Sequence, residues 1–169
     1  MHICPNHIEP VSCPRGQRDG AAYTAATARA ASSSRRAPRV SVRKEYRVAG
    51  LAEPISHYTD AVQADGLLFV SGCVALDAEG RLVGDDVVAQ TRQVLANVGA
   101  ILDAAGAGFA DVVKVTVYLL DIDDRPRINA VRKEVFGGAR PASTLVEVSR
   151  LAVPGARVEI DAVAHVAAR

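Results

Sequence analysis

From Arg43 onward, apolar and polar positions fall into short blocks whose period changes along the chain. Residues 45–48 read as a first strand and 50–54 as a breaker-rich loop. Residues 59–63 and 67–71 flank Asp65-Gly66, a dipeptide that marks a two-residue hairpin. A further short strand is expected over 74–76, running into a turn at 77–80. The period then lengthens. Val88, Thr91, Val94, Leu95, Val98, Ile101, Leu102 and Ala105 recur every three or four residues, which predicts a helix capped by Asp85 or Asp86 and stopped by Gly106. Residues 112–120 are a β-branched run suited to a central strand. A second helix is expected to be capped by Asp123 and Asp124, with Pro126 in its first turn, an apolar stripe of Ile128, Val131, Val135 and Phe136, and Gly137-Gly138 at its end.

The last block begins at Arg140-Pro141. Proline fixes φ and lacks a donor, so it suits the start of a strand, and Val146 and Val148 alternate with Glu147 behind it. A second alternating strand covers 157–166, and Pro154-Gly155 marks a turn between the two. The pair reads as a hairpin-like unit carrying Ser143, Thr144, Glu147, Glu159 and Asp161. The whole order is β-β-β-α-β-α-β-β, an α+β fold with a mixed sheet and both helices on one face. Val115, Val117, Val146 and Val148 suggest a sheet face too apolar to remain wet, and oligomerisation is its natural outlet.

Composition changes this picture at one end only. A chain of 169 residues with 49% hydrophobic content supports one packed domain plus an extension. No apolar run reaches the roughly 18 residues of a membrane span. Cys4, Cys13 and Cys73 are too few for a disulfide framework, which makes a reducing cytoplasm the expected home. Residues 1–42 carry six arginines against Glu9 and Asp19, a net +4, which leaves −3 for residues 43–169 of a chain of net charge +1. This Ala/Ser/Arg-rich extension lacks apolar periodicity, so disorder is expected. Three readings of it stay open: a transit peptide, a nucleic-acid-binding arm, or the product of an upstream start with Val42 as the true initiator. His2, Cys4, His7 and Cys13 match no common zinc spacing, and no metal or cofactor is expected.

Several fixed spacings carry a resemblance: Phe69-Val70-Ser71-Gly72; Gln90-Thr91-Arg92 within the first helix; Asp111 through Leu119; Asn129; Pro141-Ala142 with Val146-Glu147-Val148; and Val158 through Ala162. Over about residues 44–166 the chain resembles the RidA/YjgF family. The resemblance implies a chorismate-mutase-like fold, a homotrimer with ligand sites between subunits, and cofactor-free hydrolysis of reactive enamines and imines to keto acids and ammonia. In deaminating members an arginine follows Pro-Ala. Here that position is Ser143, which can hydrogen-bond a carboxylate but offers neither charge nor fork.

The same resemblance places the water-orienting acid at Asp161 and a site tyrosine at Tyr58, with His57 beside it. Ser143, Thr144, Cys73 and Asn129 are then the candidate substrate-binding residues. Each also has a plain structural reading: Ser143 and Thr144 as small residues at a strand start, Asp161 facing solvent or an amide, His57 as an exposed polar residue, and Cys73 as a small buried hydrophobe. Arg140 could reach the cleft but reads first as a surface charge, and Arg150 and Arg157 read as solvated. Two function classes follow, a hydrolase of an enamine- or imine-type metabolite and a trimer that binds a small metabolite without turning it over. Nucleic-acid cleavage ranks below both, because residues 43–169 are net negative and show no basic stripe interleaved with aromatics.

Overall fold

A computed structural model describes residues 43–166; the extension expected over 1–42 lies outside the described residues. Six strands and two helices follow in the order β1 Lys44–Tyr46, β2 Ala61–Ala64, β3 Leu67–Cys73, α1 Val87–Ala104, β4 Val112–Leu119, α2 Arg125–Phe136, β5 Ala142–Glu147 and β6 Val158–His165. This is the expected α+β succession. The stretch around 74–76 forms only an isolated bridge, Leu76 to Leu82, rather than a strand.

The sheet order is β1-β2-β3-β6-β4-β5. β2 and β3 form the hairpin expected at Asp65-Gly66, where both residues take positive φ, 48° and 81°. The hairpin expected between β5 and β6 does not exist. β5 pairs parallel with β4, so β4-α2-β5 is a crossover unit, and β6 runs antiparallel between β3 and β4. Ten residues separate β5 from β6, enough to carry the chain back across β4.

Strict alternation on β6 puts Val158, Ile160, Ala162 and Ala164 against the helices and Glu159, Asp161 and Val163 on the opposite face. Val115, Val117 and Leu119 of β4 are likewise buried beneath the helices, with Val94, Leu95, Val98, Ile101 and Leu102 of α1 and Ile128 and Val131 of α2 in the same core. Val115 and Val117, expected from the sequence on the uncovered face, are instead part of the helix-covered core. The apolar residues exposed outside this core include Leu67 and Phe69 of β3 and Val146 of β5.

The helix ends follow local chemistry. Asp86 caps α1 by accepting from the amides of Val88 and Ala89 at 2.7 and 2.9 Å. Asp124 precedes α2 but caps nothing with its side chain. Its buried carboxylate instead accepts from Arg127 at 2.8 Å and Arg157 at 3.0 Å. Arg157, expected to be solvated, is thus an anchor between the start of β6 and the start of α2.

Candidate functional site

Position 72 organises the first half of the site. The β3–β6 register shifts between Val70 and Cys73, and this bulge turns Ser71-Gly72 out of the regular ladder. A Cβ on Gly72 would lie 2.0 Å from Oε1 of Glu159, so the glycine is what lets the carboxylate lie against β3. Together with Ile55, Tyr58, Ser71 and Val153, Glu159 lines an open cavity of about 330 Å³.

The walls of this cavity are tied down from beneath. Asp60, buried, accepts from the amide of Val48 at 2.7 Å and pairs with Arg47. Thr59 Oγ1 donates to the Tyr46 carbonyl at 2.6 Å, and Ser71 Oγ donates to the Thr59 carbonyl at 2.7 Å. The loop that carries Tyr58 is therefore clamped to β1 and β3. With its proton committed to Thr59, Ser71 offers oxygen lone pairs to any further partner.

Burial pushes the Glu159 carboxyl above the usual carboxylate range, and the charge of neighbouring Asp161 pushes the same way. Asp161 itself accepts from Tyr118 Oη at 3.0 Å and does not line the cavity. That hydrogen bond, with burial and the Asp161 charge behind it, raises the Tyr118 phenol. Burial also drives the Cys73 thiol up to about 12, with Asp60 and Glu159 adding to the shift, so it is not a thiolate at neutral pH. Cys73, partly buried, packs against the core. His57 is exposed beside Tyr58 and forms no side-chain hydrogen bond among the described residues.

The other candidate residues lie elsewhere. Ser143 is in register with Val115 and so belongs to the helix side of the sheet, where its Oγ accepts from Arg132 of α2 at 2.9 Å. Asn129, one turn earlier on α2, accepts from the same guanidinium at 3.4 Å. Thr144 faces the other way and accepts from Lys114 Nζ at 2.9 Å. Of the predicted residues, Tyr58 lies on the open face beside Glu159, which was not predicted and lines the cavity where Asp161 does not, while Asn129 and Ser143 meet at the β5 edge under α2.

Comparison with known proteins agrees with this architecture. A profile described as Endoribonuclease L-PSP matches residues 50–166. The chain belongs to the Rid/YjgF family. A RutC family protein of Pyrococcus horikoshii is 46% identical over 114 residues, 67% of this chain and 90% of that protein. A mouse protein named 2-iminobutanoate/2-iminopropanoate deaminase is 44% identical over 111 residues, 65% of this chain and 82% of its own. The solved structure of a Rid family protein of unknown function from Yersinia pestis superposes with a TM-score of 0.71 at 34% identity, covering 74% of this chain and all of that one. This Rid protein shares their mixed six-stranded sheet and two helices.

Two residues of the site carried little sequence signal. Glu159 is one of two acids spaced by two on β6, and the pattern cannot say which of them meets the β3 bulge. Arg132 reads as one of several helical cations, and only the tertiary pairing with Ser143 sets it apart.

Proposed function

We propose that this Rid protein is a cofactor-free hydrolase of small imine or enamine compounds, acting as a homotrimer in clefts between copies. The observation that carries the reading is the Glu159 carboxyl, held over Gly72 in an open cavity beside Tyr58, with its pKa moved up from the usual range. Hydrolysis of an imine needs one group that takes a proton from water and returns one to nitrogen. A carboxyl whose pKa is raised above the usual range suits both steps. Water adds to the carbon of the protonated imine as Glu159 accepts one of its protons, giving a neutral carbinolamine; the Glu159 acid then protonates the amino nitrogen, and as ammonia leaves the carboxylate takes the remaining hydroxyl proton and the carbonyl forms. Asp161 contributes through its charge on Glu159, and Tyr58 walls the cavity.

The placement of the two groups supports a cleft between copies. Glu159 lies on the open face and Ser143 on the helix face, so one small molecule reaches both only if a second copy supplies one of them. Similarity to the deaminase relatives supports the imine class. The endoribonuclease description of the matched profile is not favoured for this chain, whose residues 43–169 are net negative.

The test is ammonia release from freshly generated 2-iminopropanoate. Wild type should accelerate it, and Glu159→Gln should lower the rate by about 10²-fold or more. Gly72→Ala, which forces the flexible end of Glu159 aside, should lower it less while leaving the unfolding midpoint unchanged. An inert wild type, or a Glu159→Gln protein as fast as wild type, overturns the reading.

A further inference from the structure

The second cavity, about 510 Å³, lies where α2 meets the start of β5. Its lining includes Arg132, Lys133 and Arg140 and no acidic residue. Arg132 stands out among these three. None of the three forms an ion pair among the described residues, but Lys133 and Arg140 are exposed to water, whereas Arg132 is not. It is half-buried, and burial pulls its guanidinium below the ordinary arginine value. The acid two positions along α2, Glu134, is turned away to Arg92 at 2.8 Å.

A guanidinium taken partly out of water with only neutral partners is costly unless an anion completes it. Ser143 and Asn129 accept one N–H each, at 2.9 and 3.4 Å, and hold the plane in place. Arginine has five N–H donors, so enough remain for the two oxygens of a carboxylate. Phe136 and Pro141 add apolar wall beside the charge, suited to a short alkyl chain.

We infer that Arg132, held by Ser143 and Asn129, is the group that binds the ligand's carboxylate, and that the ligand is a small 2-imino or 2-oxo acid. An arginine on a helix here supplies the charge and fork that the strand position 143 lacks. The anion site stands on its own geometry; naming the anion as an imino acid rests on the hydrolase reading above.

The experiment is titration of the full-length protein with 2-oxobutanoate and with its methyl ester, followed by calorimetry. Wild type should bind the acid and bind the ester at least 10-fold more weakly. Arg132→Met should weaken binding of the acid roughly 10- to 100-fold, and Arg132→Lys, which keeps the charge but not the fork, should fall between. Arg81→Met, at an exposed arginine outside both cavities, should bind the acid as wild type does. Equal binding by Arg132→Met, equal affinity for acid and ester, or no binding by wild type overturns the inference. If Arg132→Met fails to fold, Arg132→Lys decides: affinity equal to wild type counts against the site. The two readings fail separately. A wild type that binds the acid through Arg132 but releases no ammonia removes the hydrolase reading alone. Turnover with an unchanged KM in Arg132→Met removes the carboxylate site alone.

Discussion

In the folded chain Glu159 loses water on one side and gains the charge of Asp161 on the other, and both favour its protonated form. An acid whose folded pKa lies above its unfolded value binds more protons in the native state. Its destabilising effect is absent below the unfolded pKa, near 4.3, grows as pH rises toward the folded pKa, and is fully present above that. Glu159→Gln should therefore raise the urea midpoint at pH 7 relative to wild type, and the gain should vanish at pH 4. Loss of turnover with a gain in stability marks a carboxyl held for chemistry, because a carboxyl held for structure would cost stability when removed. In the sequence Glu159 and Asp161 share one strand face, and the family resemblance placed the acid at Asp161. What separates them is the bulge opposite, and its only trace in the sequence is Gly72, whose missing Cβ makes room for one carboxylate and not the other.

At the scale of elements, helix and strand periods were legible because they are local, and pairing was not because it is decided by distant residues. Pro154-Gly155 signals a turn correctly in kind, yet β5 had already been committed to β4 by the crossover through α2. Asp124 shows the same division. Its place before Pro126 suggested a cap, but the approach of β6 brings Arg157 to it, and that is not visible from α2 alone. Burial by itself would push the Asp124 carboxyl up; hydrogen bonds from Arg157 and Arg127 outweigh it and hold the group below the usual range. The folded pKa being depressed, this contribution is present above the unfolded value near 3.9 and is lost as pH falls through the folded one. Asp124→Asn should cost about 2 kcal/mol at pH 7, less than the 3–5 of a fully buried pair because both arginines are half exposed. Urea unfolding at pH 7 and pH 3 checks it: the deficit should shrink at the lower pH, and an equal deficit at both would assign it to packing instead.

At the scale of the whole molecule, the open sheet face and the split site point to the same partner. Phe69, 48% exposed at the middle of β3, and Leu67 beside it give that face an apolar patch that a second copy would cover. If one copy supplies Glu159 and its neighbour Arg132, two impaired variants can repair each other, read at substrate levels below the wild-type KM. Glu159→Gln keeps a sound Arg132, and Arg132→Met keeps a sound Glu159. In randomly mixed assemblies about a quarter of the clefts receive both intact groups, so co-refolding the two variants at equal amounts should return roughly a quarter of wild-type ammonia release. A site contained in one chain would return nothing beyond the sum of the separate variants. Adding Phe69→Glu to both partners buries charge against the apolar face, and should lower the mass seen by light scattering to that of a single chain while abolishing the recovered activity. Recovery that survives in the single chains would place the whole reaction within one copy and remove the need for a shared cleft.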